Sequence, residues 1–324
     1  MKMSQREDLC GVQLTGNKAR KLEFIMADVV AQGCDCVITM GGIQSNHCRA
    51  TAVAAKYLNL ECYLILCAPE LEIKDPGLVG NLMIEKLVGA NIEMAAWEDF
   101  AKFGAWNLLN TMKQKLAKKG RKPYVIPIGA SNTLGTWGYI EASREIEQQV
   151  KQGCFETAFD DIVAACGSVG TVVGLSLGSQ LSTLKAKVHG FCVGEETNNC
   201  YKYAQQLLDG LGAGLSSRDL LHLQDAKGLG YATSTNKELA FIKEVAETTG
   251  VILDHVYSGK AAFGLWKDMK KNPSKWEGRK VLFVHTGGIF ALYDKAKDMS
   301  SMVSRCRRLE IDGCLPAKDA SHPW

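Results

Sequence analysis

Apolar, β-branched runs alternate with amphipathic stretches along most of the chain. Apolar residues recur at helical spacing from Leu22 to Val30 and stop at Gly33, which can take the left-handed conformation that ends a helix. Further along, the pattern predicts strands at 36–40, 62–66, 92–96, 124–128, 161–166, 187–193 and 280–285, and helices at 49–58, 80–88, 98–118, 171–182, 198–209 and 236–248. The segment 210–235 is less regular, and the tail from about 300 shows no pattern.

This alternation is typical of parallel sheets that carry helices on both faces. The 324 residues allow two domains or one large α/β unit. A Gly-rich shift in composition at 129–138 indicates a crossing between domains, after which a helix runs to about Val150. We therefore predict an α/β protein built on mostly parallel, twisted sheets.

The overall composition is that of an ordinary globular enzyme. Hydrophobic residues make up 46% of the chain and charged residues 23%. The net charge of +3 is spread out, which disfavours a nucleic-acid or polybasic membrane partner. No apolar run reaches the length of a membrane span or signal peptide. We expect a soluble, cytoplasmic protein that acts on small molecules.

The 12 cysteines are dispersed, and several lie in apolar runs. A chain of this length does not need disulfides for stability, so we expect buried free thiols in a reducing compartment. Cys34 and Cys36 are separated by one residue, and no second pair of cysteines or histidines has the spacing of a zinc site. We expect no metal site.

One loop suits a phosphate group. It follows the predicted strand 161–166 and contains Gly167, Ser168, Val169, Gly170 and Thr171. The glycines let the backbone approach an anion, the hydroxyls add donors, and the next helix presents free N–H groups. The alternative is a purely structural Gly-rich turn.

A second loop, 41–49, joins a predicted strand to a helix. Its side chains Ser45 and Asn46 could cap that helix. A glycine pair with three polar side chains exceeds what a cap requires, so the backbone N–H groups could hold a carboxylate and Asn46 could reach a ring oxygen. His47 at a helix start is more often structural than catalytic.

Polar groups also follow the last predicted strand and the segment 254–260. The hydroxyl of Thr286, in His-Thr-Gly-Gly, can bond a ring nitrogen without adding a negative charge. Tyr257 and the upstream Tyr231 could each donate a proton or line a pocket.

Lys18 lies in the stretch Gly-Asn-Lys-Ala-Arg-Lys, directly before the first predicted helix. A single lysine is usually a solvated surface charge. Near a second cation and a phosphate loop, however, its amine can be tuned toward the neutral form that makes an imine.

Four motifs occur in one order and spacing: Gly-Asn-Lys-Ala-Arg-Lys-Leu-Glu, Gly-Gly-Ile-Gln-Ser-Asn, Val-Tyr-Ser-Gly-Lys and His-Thr-Gly-Gly. Over roughly residues 5–296 the chain resembles the family of D-cysteine desulfhydrases and 1-aminocyclopropane-1-carboxylate (ACC) deaminases, the plant desulfhydrases in particular. These are fold-type II pyridoxal-phosphate enzymes. The resemblance implies a large domain of residues 1–20 and 127–300, a small domain of residues 21–126, an irregular tail at 301–324 and pyridoxal 5'-phosphate between the domains.

The resemblance also implies roles for the residues of each motif. Lys18 would form the Schiff base with the cofactor, and Asn46 would contact its phenolic oxygen. The loop Gly167–Thr171 would hold the phosphate, and Thr286 would face the pyridine nitrogen. The catalytic set would be Lys18, Ser45, Tyr231 and Tyr257, and the substrate would be bound by Ser45, Asn46, His47, Tyr231 and Tyr257.

Two positions favour one activity of the family. ACC deaminases carry Glu where this chain has Ser258, and Leu where it has Thr286. The resemblance therefore implies α,β-elimination of D-cysteine to pyruvate, hydrogen sulfide and ammonia. ACC deamination and a catalytically silent, pyridoxal-phosphate-binding protein are the alternatives.

The catalytic lysine comes earlier here than in the family. Family members have further residues before the stretch that contains Arg6-Glu7-Asp8, so we expect a late start or a shortened chain that lacks a sheet-edge strand. A longer N-terminus would allow a mitochondrial or plastid location. The resemblance also implies a homodimer.

Overall fold

The computed structural model describes residues 4–11, 13–14, 16–154, 158–303 and 306–308. Within these residues the chain forms two sheets. Their strands are β1 (Ser4–Arg6), β2 (Cys36–Gly42), β3 (Glu61–Ala68), β4 (Asn91–Ala96), β5 (Pro123–Val125), β6 (Asp161–Cys166), β7 (Lys187–Cys192), β8 (His222–Asp225) and β9 (Val281–His285).

Helices connect and cover these strands. They are α1 (Lys18–Ala31), α2 (Asn46–Tyr57), α3 (Glu70–Lys74), α4 (Gly80–Leu87), α5 (Trp97–Ala117), α6 (Thr133–Lys151), α7 (Gly170–Leu181), α8 (Thr197–Gly210), α9 (Ser217–Leu220), α10 (Asn236–Thr249), α11 (Ser258–Lys271), α12 (Pro273–Trp276), α13 (Ile289–Leu292) and α14 (Ala296–Met299). Among the described residues, none of the helices has the length and apolar content needed to cross a lipid bilayer.

Both sheets are parallel throughout, which confirms the predicted fold class. The five-stranded sheet has the order β1-β9-β6-β7-β8, and the four-stranded sheet has the order β4-β3-β2-β5. Every residue of β6 is buried, as expected for a central strand that is covered on both faces. The carboxyl ends of such strands are where ligands bind.

Each sheet has an apolar layer on both of its faces. Helices α6, α7 and α8 supply one layer of the five-stranded sheet, and α10 and α11 supply the other. The four-stranded sheet packs against α1, α2 and α4 on one face and against α5 on the other. The division of the chain into domains at residues 20, 126 and 300 remains a prediction.

The edge of the five-stranded sheet is occupied, contrary to the expectation from the early lysine. Ser4–Arg6 pairs with β9 in that position. Just beyond, the buried carboxylate of Glu7 accepts a hydrogen bond of 2.5 Å from Arg20 of α1. The N-terminal segment is thus attached both to the sheet and to α1.

Several elements were not predicted. The irregular segment 210–235 contains α9 and the edge strand β8, whose four residues are too few to show a period. Helix α11 begins inside the motif at 254–260, whose two hydrophobic residues, Val256 and Tyr257, show no helical repeat. The predicted tail at 301–324 lies almost entirely outside the described residues.

Most of the Gly-rich stretch 129–138 belongs to α6, which begins at Thr133. Its glycines serve close packing. A Cβ atom on Gly138 would clash with the backbone carbonyl of Arg20, and one on Gly135 would clash with that of Ala130. Glycine therefore brings α6 against α1, which carries the candidate lysine.

We predict that Gly138→Ala destabilises the protein by about 1–3 kcal/mol, because the added methyl group forces α6 away from α1. Urea unfolding followed by circular dichroism measures the loss. Gln148→Ala, an exposed position on the same helix, is the matched control and should change stability by less than about 0.5 kcal/mol. Equal stability of Gly138→Ala and the parent would show that α6 and α1 do not pack as described.

Candidate active site

Lys18 is the first residue of α1, and its amine points into the protein. The Nζ atom donates a hydrogen bond of 3.0 Å to the carbonyl oxygen of Gly129. Although the side chain keeps some exposure, desolvation of the amine lowers the pKa of Lys18 to about 8. A substantial neutral fraction is therefore present near neutral pH, as a nucleophilic lysine requires.

A second lysine, which was not predicted, lies one turn further along α1. Lys21 is fully buried and donates to the same carbonyl of Gly129 at 3.2 Å and to the hydroxyl of Ser131 at 2.9 Å. Burial, with the neighbouring charge of Lys18, holds the pKa of Lys21 well below its ordinary value. The sequence did hold a signal for this residue. Lys21 follows Lys18 by three positions, which puts both lysines on one face of a helix.

The predicted phosphate loop joins β6 to α7 as expected. Val169 has a left-handed backbone (φ 56°), and α7 starts at Gly170 without a side-chain cap, so its first N–H groups point out of the helix. The hydroxyl of Ser168 lies 2.7 Å from that of Ser131. Thr171 accepts a hydrogen bond of 2.9 Å from the side chain of Asn17. The loop therefore lies directly beside the start of α1.

Thr286 also lies at the start of α1. Its carbonyl accepts a hydrogen bond of 3.2 Å from the backbone N–H of Asn17. Gly16 has φ 89°, and a Cβ atom there would clash with the same carbonyl. Only glycine allows this approach, which sets Lys18 near the end of β9.

The start of α2 contains the second predicted loop. Ser45 caps the helix by accepting a bond of 3.1 Å from the N–H of Cys48. The Oδ1 atom of Asn46 accepts a bond of 3.1 Å from Asn81. The predicted cap is confirmed, and both side chains are almost completely buried.

His47 has a mainly structural environment. Its Nε2 atom lies 2.7 Å from the hydroxyl of Thr39, and its Nδ1 atom lies 3.5 Å from that of Thr51. Burial, with the charges of Lys18 and Lys21, holds the pKa of His47 well below its ordinary value, so the ring is neutral. Its contact with substrate stays a prediction.

The two predicted tyrosines form a pair, with their hydroxyl oxygens 2.8 Å apart. Desolvation raises the pKa of Tyr231 to about 12 and holds that of Tyr257 well above its ordinary value. The ring of Tyr257 packs on Gly167, where a Cβ atom would lie 3.0 Å from the ring. The thiol of Cys48 is close enough to influence the pKa of Lys18 and of both tyrosines, which places all three around the start of α2.

Ser258 lies in a buried turn, and its expected role in distinguishing substrates stays a prediction. Its hydroxyl donates a bond of 2.6 Å to the carboxylate of Asp254, which also accepts from the N–H groups of Val256 and Tyr257 at 2.8 Å each. Asp254 lies against Gly288. Ser258 therefore completes a buried turn that holds Tyr257 at the phosphate loop.

A cavity of about 540 Å³ opens beside Tyr231. Gly42, Gln44, Trp97 and His255 also line it. The rings of Trp97 and Tyr231 meet edge to face, with centroids 6.5 Å apart. The cavity lies next to the start of α2 and has the size of a small-molecule site. Trp97 is a lining residue that the sequence motifs did not reveal.

A model of the pyridoxal-phosphate dependent enzyme family matches residues 6–287. The chain belongs to this family. It is 55% identical over 97% of its length, and 79% of the relative's, to a protein of Arabidopsis thaliana named bifunctional D-cysteine desulfhydrase/1-aminocyclopropane-1-carboxylate deaminase, mitochondrial. A protein of Serratia proteamaculans named D-cysteine desulfhydrase is 34% identical over 89% of this chain and 87% of the relative.

A solved structure described as an ACC deaminase homologue has the same fold. It superimposes with a TM-score of 0.78 at 34% identity and covers 92% of this chain and 88% of its own. The predicted family and fold type are confirmed, and pyridoxal 5'-phosphate is the cofactor of the family to which the chain belongs.

The residues at the site fit this cofactor. The uncapped start of α7, with the hydroxyls of Ser168 and Thr171, offers the donors that a phosphate needs. The amine of Lys18 has the lowered pKa that imine formation needs. Gly129 has no room for a side chain, since a Cβ atom there would clash with Ser168 and lie 3.4 Å from the amine of Lys18.

We predict that Ser258→Glu destabilises the protein by more than about 2 kcal/mol, because a second carboxylate would be buried against Asp254. Ser258→Ala loses two hydrogen bonds, one donated to the carboxylate of Asp254 and one accepted from its backbone N–H, and should cost about 1–2 kcal/mol. Thermal unfolding of the two variants gives the comparison. If Ser258→Glu were as stable as Ser258→Ala, the side chain would face open space rather than Asp254.

Proposed function

We propose that the protein is a pyridoxal-phosphate lyase that eliminates sulfide from D-cysteine. The observation that carries the proposal is the desolvated amine of Lys18, next to Asn17, which bonds the phosphate-type loop. The ring of Tyr257 packs on the same loop, and its hydroxyl pairs with that of Tyr231. The names of the relatives from Arabidopsis thaliana and Serratia proteamaculans support the substrate. The net reaction is D-cysteine plus water to pyruvate, hydrogen sulfide and ammonia.

We propose that Lys18 binds the cofactor covalently and that the loop Gly167–Thr171 holds its phosphate. Thr286 would face the pyridine nitrogen as a neutral partner, and Asn46 would contact the phenolic oxygen. The position of Thr286 next to Asn17, and of Asn17 next to Thr171, supports this arrangement. Lys21 would offer a hydrogen-bond donor on the phosphate side of Lys18, because its amine lies beside Ser131.

For the chemical step, bound pyridoxal phosphate supplies an electron sink for the charge that develops at the substrate Cα. Ser45 and the neighbouring backbone N–H groups would bind the substrate carboxylate. The neutral amine of Lys18 would remove the Cα proton. The paired hydroxyls of Tyr231 and Tyr257 would line the Cβ side, where the Cβ–S bond breaks, and one of them would donate a hydrogen bond to the departing sulfur.

ACC deamination is the second candidate function. The name of the Arabidopsis thaliana relative and the solved ACC deaminase homologue favour it. The reaction would be ACC plus water to 2-oxobutanoate and ammonia. Ser258, which is bonded within its own turn, and Thr286 are the two candidates for residues that favour D-cysteine.

A homodimer is also part of the proposal, and sedimentation of the purified protein tests it.

For the compartment, the name of the Arabidopsis thaliana relative supports a mitochondrial location. Fluorescence imaging of the product of the full gene tests that location.

We predict that the holoenzyme releases sulfide and pyruvate from D-cysteine and that Lys18→Ala reduces the rate by at least about 1,000-fold, because the base is lost. Sulfide and 2-oxo acid assays on D-cysteine and ACC, run in parallel, measure both reactions. Lys151→Ala, a surface lysine on α6, is the control and should keep the parent rate. Sulfide from neither the parent nor the control would contradict the proposal, and 2-oxobutanoate from ACC alone would favour the second function.

A further inference from the structure

Three cysteines that are distant in sequence meet in the core of the five-stranded sheet. Cys166 ends β6, Cys192 ends β7, and Cys200 lies in the first turns of α8. Their sulfur atoms all lie within 4.8 Å of one another. Cys192 and Cys200 are fully buried, and Cys166 is 1% exposed.

The backbone fixes this convergence. Cys166 and Cys192 are direct partners in the parallel pairing of β6 with β7, so their side chains leave the same face of the sheet. Helix α8 returns over that face after a short connection from β7, and it brings Cys200 above the pair. Sequence spacing could not reveal the cluster, because each residue comes from a different element.

We propose that Cys166, Cys192 and Cys200 form a binding site for a soft, thiophilic metal ion that takes three thiolate ligands, namely monovalent copper. This inference revises the expectation of no metal site, and it does not rest on the proposed lyase activity.

The distances fit three-coordinate thiolate binding. With metal–sulfur bonds of about 2.3 Å, three sulfurs around one ion are separated by about 4 Å, so the cluster would contract by less than about 1 Å. Among the described residues, no histidine, aspartate, glutamate or further cysteine joins these three cysteines as a candidate ligand. Zinc almost always takes four ligands in a structural site, whereas soft thiolates select monovalent copper.

A helix dipole and an amine lie beside the cluster. Cys200 lies near the start of α8, where the helix dipole is positive. On the other side, the amine of Lys21 lies close to Gly170, in the loop that follows Cys166. These groups would offset part of the negative charge that three thiolates bring into the core.

Packing alone is the competing explanation, since a free cysteine behaves as a small apolar residue. Packing does not require three sulfur atoms to converge on one point. The remaining buried cysteines provide the comparison, because Cys36, Cys48, Cys62 and Cys67 lie in the other sheet and its helices and form no such group within the described residues.

The test uses the pyridoxal-phosphate-loaded protein under anaerobic conditions, with the exposed and half-buried thiols removed by Cys10→Ser, Cys34→Ser, Cys154→Ser and Cys306→Ser. Cys314, which lies outside the described residues, is replaced by serine as well. Monovalent copper is added without substrate, in competition with a chromophoric copper(I) chelator. We expect one ion per chain to be retained, with release of thiol protons and three sulfur neighbours in X-ray absorption.

Variants then separate a metal site from packing. Cys192→Ala and Cys200→Ala should weaken retention roughly 100-fold or more, since losing even a second-shell partner costs about 10–100-fold. Cys62→Ser, a buried strand cysteine in the other sheet, should retain copper as the parent does. Circular dichroism and the cofactor absorption band check that each variant is folded. No retained ion in the parent, or equal retention in Cys192→Ala and Cys62→Ser, would overturn the proposal.

Discussion

Two lysine amines share one backbone carbonyl, and the site depends on this interaction. Lys18 and Lys21 both donate to the oxygen of Gly129, at 3.0 and 3.2 Å. Desolvation lowers the pKa of Lys18, and desolvation together with the nearby charge of Lys18 lowers that of Lys21. Gly129 can present its carbonyl in this way because its backbone is left-handed, with φ 67°. An amine that loses its proton more readily than an ordinary lysine thus follows from the fold itself.

The rest of the architecture maintains that interaction. Glycines in α6 allow α1 to pack closely, and the segment before α1 is attached to β9 through Gly16 and Thr286. Asn17 connects the same segment to the start of α7. The turn around Asp254 holds Tyr257 on the phosphate loop. Elements from both sheets therefore meet at a few backbone contacts, and side chains that are far apart in sequence become neighbours.

Much of this could be predicted from the sequence, since parallel strands show long apolar runs and Gly-rich loops follow them. Lys18, the loop Gly167–Thr171 and the cap at Ser45 are local signals of this kind. Lys21 and Trp97 were missed, because only packing turns an ordinary lysine or tryptophan into part of a site. The bond between Ser258 and Asp254 was missed, although the two residues are only four positions apart, because no repeat in the sequence marks that turn. The cysteine cluster was missed because its three residues come from different elements that meet only in the folded chain.

Reductive trapping of the cofactor on the metal-free apoprotein tests the central claim most directly. Pyridoxal phosphate is added at a series of pH values, the imine is reduced with borohydride, and the labelled lysine is found by peptide mass spectrometry. Because the folded pKa of Lys18 lies below the ordinary value of 10.5, the neutral amine should appear as the pH rises through about 8. Label on Lys18 with a midpoint near 8 agrees with the account. Label on Lys21, or a midpoint near 10.5, contradicts it.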